Sequence, residues 1–109
     1  MIDTFFKKKT LLKGYVVEGS TFSFTAYIIK EKDGFTAICR DVDVATEGLS
    51  IEEAKENLIE AVTLYIESAI ESNLPVIRPI PKEADPTNRP ELIDSTFRLL
   101  VDLKVHTYA

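Results

Sequence analysis

The sequence has few of the residues that build reactive or cross-linked sites. Its 109 residues include one cysteine, one histidine and no tryptophan. A single cysteine excludes an internal disulfide, and one cysteine with one histidine cannot complete a zinc site of four protein ligands. No apolar run approaches the roughly 18 residues that a membrane-spanning helix needs, and the lysine-broken N-terminus lacks the form of a secretory signal. We therefore expect a cytoplasmic protein without a cofactor.

Glycine is scarce and proline is confined to one segment, which indicates a simple domain organisation. A length of 109 residues favours a single domain at 1–109. Residues 1–20 are predicted to form an N-terminal extension or an extra strand, and all five prolines lie in a connector at 74–94. We expect this connector to be an extended spacer, because proline fixes its backbone angle and cannot donate a backbone hydrogen bond.

Negative charge dominates the chain except at its N-terminus. The formal charge is −5, yet residues 1–13 carry +3 and the remainder carries −8. Because phosphate binding depends on lysine and arginine, we expect no direct binding to nucleic acid. An acidic body is complementary to a basic protein partner, although it also keeps a protein soluble without any partner.

The first half of the chain has the pattern of β-strands. Residues 11–18 and 21–30 are predicted strands with a turn at Gly19-Ser20, Asp33-Gly34 begins a hairpin to residues 35–40, and residues 42–46 can add a short strand. Side chains alternate between the two faces of a strand. The face expected to meet the core carries Phe22, Phe24, Ala26, Ile28, Phe35, Ala37 and Cys39, and the other face includes Tyr27, Ile29, Ile38 and Arg40.

A long amphipathic helix is predicted from Ile51 to about Ser72. Ser50 and Glu53 form a capping box, in which the serine oxygen accepts a free amide of the first turn and the glutamate accepts the serine amide. Apolar residues then recur at helical spacing and should pack on the phenylalanine-bearing face of the sheet. Asn73 can end the helix, and Pro75 prevents its continuation.

The clearest strand lies at residues 95–106. Phe97, Leu99 and Val101 alternate there with Arg98 and Asp102. The predicted order is therefore β-β-β-α-β. This order indicates an α+β fold with a mainly antiparallel sheet of three to five strands and one long helix packed on one face.

Two groups of polar residues have a catalytic interpretation. Cys39 and His106 could form a nucleophile–base pair, but an isolated cysteine is most often a small buried hydrophobic side chain. Asp41 and Asp43 are spaced to share one face of a strand, as a metal-dependent nuclease requires. No third carboxylate follows at an obvious spacing, which favours a solvated loop. We therefore predict neither enzyme activity nor a metal site.

Several segments, in the right order, resemble the HicB-like domain, the antitoxin half of a bacterial and archaeal toxin–antitoxin system. They are the strand FTAYIIK, the turn at Asp33-Gly34, the strand GFTAICRDV, and the segments VATEGLSIEEA and ENLIEAVTLYIE. The signature residues of this resemblance are Gly34, Gly48, Ser50, Glu53 and Ala54. The resemblance covers somewhat under half of the chain.

The resemblance implies a truncated ribonuclease-H-like fold and a binding function. On this basis the chain is expected to be an antitoxin-type protein that neutralises a small basic HicA-like RNA-cleaving toxin by masking its surface. Many antitoxins of this type carry a C-terminal DNA-binding domain. No two helices follow the last predicted strand, so we expect a stand-alone member that lacks such a domain.

The alternative is a self-associating structural or regulatory protein without a toxin partner. The sheet face opposite the helix would expose Tyr27, Ile29 and Ile38, with Arg40 and Leu100 beside them. Pairing of this face, or of a free sheet edge, would bury it in a homodimer or a higher homo-oligomer. These five residues are the predicted partner or dimer interface.

Overall fold

The computed structural model describes residues 17–105, with side chains from 21 to 102. Most of the strand predicted at 11–18, and His106, lie outside this range. The described chain forms β1 (Val17–Glu31), β2 (Gly34–Cys39), β3 (Val44–Gly48), α1 (Ile51–Glu71) and β4 (Ile93–Val105). The strands make one antiparallel sheet in the order β3-β2-β1-β4. The predicted α+β fold is confirmed.

β1 is one long strand rather than two strands joined by a turn. The predicted turn at Gly19-Ser20 is wrong, because both residues lie inside β1. β4 pairs with β1 along nearly its whole length, from Val17↔Val105 to Ile29↔Ile93. This long partner holds straight a segment whose local sequence favours a turn. A register shift between Val17 and Ser20 accommodates the irregularity.

The β1–β2 hairpin has the predicted register. Ala26 lies opposite Cys39 and Ile28 lies opposite Ala37, so these four side chains share the core face. β3 begins at Val44, two residues later than predicted, because the chain turns through residues 40–43 before it enters the strand.

α1 packs its apolar stripe on the phenylalanine-bearing face of the sheet. The buried helix residues recur every three or four positions, at Ala54, Leu58, Val62, Ile66 and Ala69. All of them except Ala69 share one core cluster with sheet residues that include Phe22, Phe24, Ile28, Cys39, Leu99 and Val101. The predicted position of the helix on this face is confirmed.

α1 ends where the sequence predicts, at a left-handed asparagine. Asn73 has φ 58°, its N–H donates to Ile70 O at 3.1 Å, and the Leu74 N–H donates to Ala69 O at 2.7 Å. These two bonds form a Schellman motif, which satisfies carbonyls of the last turn. Pro75 then follows outside the helix.

The proline-rich connector is not extended throughout, because its second half folds into short turns. It forms three short 3-10 turns at Lys82–Ala84, Pro86–Asn88 and Pro90–Leu92. The Arg78 N–H donates to Asp41 O and the Ile80 N–H donates to Arg40 O, which fixes the connector to the end of β2. The turns then lie against Ile29 and Ile38, on the sheet face opposite α1. The connector thus lies beside the sheet face opposite the helix.

Replacing Leu58 should test the contact between α1 and the sheet. Leu58 is fully buried, so Leu58→Ala should lower the free energy of unfolding by about 2–5 kcal/mol. Leu64 lies on the same helix but is 59% exposed, and Leu64→Ala should change stability by less than about 0.5 kcal/mol. Urea denaturation of both variants measures the difference, and equal losses would contradict the packing described here.

Candidate protein-interaction surface

The signature residues meet where the β1–β2 turn approaches the start of α1. A Cβ on Gly34 would lie 2.6 Å from the backbone oxygen of Gly48, and a Cβ on Gly48 would overlap the backbone of Ala54. Both glycines therefore allow a close approach of backbone to backbone. Ala54 is fully buried, and its carbonyl accepts from Thr46 Oγ1 at 3.1 Å. These residues serve the packing of the helix onto the sheet.

Ser50 caps α1, but Glu53 bonds one residue earlier than predicted. Ser50 Oγ accepts from the Glu53 N–H at 3.1 Å, as the capping box predicts. Glu53 Oε1 accepts from the Leu49 N–H at 2.9 Å rather than from the amide of Ser50. The two side chains together fix the segment that leads from β3 into the helix.

The predicted interface residues on the sheet are largely covered by the connector. Tyr27 is only 4% exposed, so the expected exposure of this tyrosine is wrong for the folded chain. Ile29 and Ile38 are half-buried beside the connector turns. Leu100 is 60% exposed on β4, on the other side of β1 from Ile38. The interface role of these residues stays a prediction, and the structure separates Leu100 from the others.

Arg40 links the sheet to the connector by charge. Its Nη1 donates to the Tyr27 hydroxyl at 3.3 Å. This hydrogen bond, aided by the negative charges of Asp41 and Asp85, raises the pKa of Arg40. The pKa of Asp85 is lowered, first by the Thr87 N–H that donates to it and also by the charge of Arg40. Arg40 and Asp85 therefore attract each other between the end of β2 and the connector.

The described residues that were considered for catalysis, Cys39, Asp41 and Asp43, lie in the core, at the end of β2 and in a turn. Cys39 is fully buried, and burial raises its pKa to about 11. Asp41 Oδ2 accepts from the Thr25 N–H at 2.9 Å, next to the end of β2. Asp43 is exposed and has φ 53°. Asp41 is therefore engaged with β1, and Asp43 points into solvent in a turn.

The described residues contain neither a metal-binding cluster nor a membrane-spanning helix. Between residues 17 and 105, no group of three or more histidine, cysteine, aspartate or glutamate side chains is arranged to hold a metal ion. No described helix is both long and apolar enough to cross a membrane.

The outer side of α1 is strongly acidic. The helix contains six glutamates and one lysine, which leaves a formal charge of −5. The lysine does not balance this outer charge, because Lys55 Nζ lies 4.7 Å from the centre of the Phe97 ring on the sheet side. The acidic helix face consists of Glu52, Glu56, Glu60, Glu67 and Glu71, with the partly exposed Ile59 and Leu64 at its flanks. Such a surface is suited to a cationic protein partner.

Comparisons with models of protein families, with curated proteins and with solved structures found no match to this chain. The HicB-like resemblance therefore rests on the sequence segments given above.

Replacing Gly48 should test the close approach at the start of α1. Gly48→Ala places a methyl group against the backbone of Ala54 and should cost about 1–3 kcal/mol of stability through overpacking. Leu49→Ala alters the neighbouring residue, whose side chain is 79% exposed, and should cost little. Thermal unfolding of the two variants compares them, and a Gly48→Ala variant as stable as the native chain would contradict this contact.

Cys39 should be inert in the folded protein. Because burial raises its pKa to about 11, the reactive thiolate is scarce at pH 8, and alkylation by iodoacetamide should be at least about 100-fold slower than in denaturant. The raised folded-state pKa favours the neutral thiol, so its stabilising effect is present below pH 9 and is lost as pH rises toward about 11. Mass spectrometry measures the alkylation rate, and equal rates in the two conditions would contradict the burial of Cys39.

Proposed function

We propose that this chain is a HicB-like, antitoxin-type binding protein that neutralises a small basic HicA-like RNA-cleaving toxin by masking its surface. The sequence resemblance, which includes Gly48, Ser50 and Glu53, supplies the family. The acidic helix face carries the proposal, because it supplies the chemistry that a basic partner requires.

The charge pattern of this face lowers the stability of the helix that bears it. Glu52 and Glu56, Glu56 and Glu60, and Glu67 and Glu71 form like-charged pairs four residues apart. Each such pair destabilises a helix by about 0.2–0.5 kcal/mol. Glu71 also lies at the negative end of the helix dipole, with no basic residue in the last turn. A cationic partner would reduce all of these repulsions. The pattern of like charges is therefore what a binding surface for such a partner would have.

The face also offers apolar area beside the glutamates. Ile59 is 42% exposed and Leu64 is 59% exposed, on the two flanks of the glutamates. Protein interfaces combine apolar with polar contacts. The glutamates would accelerate encounter with a basic toxin and orient it, while Ile59 and Leu64 would contribute buried area.

Charge reversal on the helix tests the proposal once the small basic protein encoded beside this gene is co-expressed and purified with it. Glu60→Lys with Glu67→Lys should weaken binding at least about tenfold and restore RNA cleavage by the partner. Glu83→Lys with Glu91→Lys is the matched control, because it makes the same change in net charge on exposed connector residues. Titration calorimetry compares the two double variants.

Two results would count against the proposal. Equal weakening by both double variants would mean that only the net charge matters and that the acidic helix face is not the binding surface. If no small basic protein is encoded nearby, or if it fails to copurify, the toxin-neutralising function has no support.

A further inference from the structure

β1 has an open edge along the part of its length that β2 does not reach. β2 pairs with β1 only from Ala26 to Glu31. One residue further, the Arg40 N–H donates to Thr25 O, and Asp41 Oδ2 accepts from the Thr25 N–H. Both backbone groups of Thr25 therefore point away from β4, toward the side where β2 has ended.

The next residues on this edge have backbone groups without a partner. Alternate residues of a strand direct their N–H and C=O groups to the same side, so those of Ser23 and Thr21 also point away from β4. Between residues 17 and 105, no partner is found for these backbone groups. The hydroxyl of Thr21 is engaged separately, since it donates to Asp102 Oδ1 at 2.7 Å. Four strong backbone hydrogen-bonding groups are thus presented in a row.

The two outer edges of the sheet are protected in ways that this edge is not. β3 has five residues, carries Glu47, and has the Glu47 carbonyl occupied by Asn57 Nδ2 at 2.8 Å. The other outer strand, β4, carries the exposed charged residue Arg98, while the carboxylate of Asp102 is engaged with Thr21 of β1. Short edge strands and edge charges are the usual means of preventing strand pairing.

The open edge has neither charge nor proline at Thr21 and Ser23. An edge of this kind is a ready template for another strand. The charges next to it are also balanced, because Arg98 and Asp102 of β4 lie opposite Thr25 and Thr21. The strong negative charge of the chain is concentrated on α1 instead, so a second acidic chain meets less repulsion at this edge than at the acidic helix face.

We propose that the open edge of β1 pairs antiparallel with the same edge of a second copy of this chain. A two-fold axis near Thr21 would place Thr21 of one copy opposite Thr21 of the other. The free backbone N–H and C=O groups of each edge would then bond to those of the other copy. With this axis, Thr25 of one copy falls opposite Val17 of the other, and the backbone groups of Thr25 are already bonded to Arg40 and Asp41. The new ladder is therefore confined to residues 18–24 of each copy. The two threonines would also form a cross-strand pair.

This dimer lies beyond the proposed toxin binding and does not depend on it. Of the two modes of pairing considered from the sequence, it uses a free sheet edge rather than the face that carries Tyr27, Ile29 and Ile38. A variant that loses dimerisation can still be tested for toxin binding, and a variant that loses toxin binding can still be tested for dimerisation.

A pair of proline variants tests the proposal by sedimentation velocity from low micromolar to millimolar concentration. Ser23 and Leu100 lie opposite each other in the β1–β4 ladder, and their N–H groups point to opposite edges. Ser23→Pro removes a donor from the open edge and should raise the dimer dissociation constant at least about tenfold. Leu100→Pro removes the corresponding donor from the outer edge of β4 and should leave the dimer intact.

Hydrogen exchange on the unmodified protein gives a second readout that does not depend on how well the proline variants fold. The amides of Thr21 and Ser23 should become protected as concentration rises, while those of Leu100 and Asp102 stay fast. A native chain that remains monomeric at millimolar concentration would overturn the proposal. So would a dimer that dissociates with Leu100→Pro but not with Ser23→Pro, or one in which Thr21 and Ser23 gain no protection.

Discussion

The whole arrangement depends on the burial of one side of α1 against the phenylalanine-bearing face of the sheet. Leu58, Val62 and Ile66 are fully buried there, in one cluster with Phe24 and Ile28. Side chains of this size each contribute about 1.5–3 kcal/mol when they leave water. Gly48 lets the end of β3 approach the backbone of Ala54 at the start of the helix, and Gly34 lets β2 approach the carbonyl oxygen of Gly48. Residues that look like a family signature are thus, in this chain, residues that let the helix reach the sheet.

Structural features that depend on residues close together in the sequence are predicted correctly. The serine cap, the helical spacing of apolar residues and the Asp-Gly turn are local, so the helix boundaries and the hairpin register follow from them. The turn at Gly19-Ser20 fails as a prediction because its competitor is distant: Thr21 bonds to Asp102, 81 residues away. Local preference yields when a long partner strand supplies a continuous ladder of hydrogen bonds.

The candidate surfaces show the same limit. Alternation along the strands correctly places Tyr27 and Ile38 on the face opposite the helix, but it does not show that the connector folds back over them. The prolines predict the backbone angles of the connector, but they do not predict which part of the sheet the connector contacts. The acidic side of α1 is visible in the sequence. The sequence does not show that the negative charge of this side lacks a neutralising lysine, because this depends on Lys55 turning inward over Phe97.

The pairing of β1 with β4 has a consequence for the order in which the protein is made. The hairpin, β3 and α1 precede β4 in the chain, so all of them can assemble while the last strand is still being synthesised. Until then the first strand lacks the partner that holds it straight. Contacts between distant parts of a chain are slow to form. In the nascent chain, one side of β1 therefore stays without its partner strand until β4 has been synthesised.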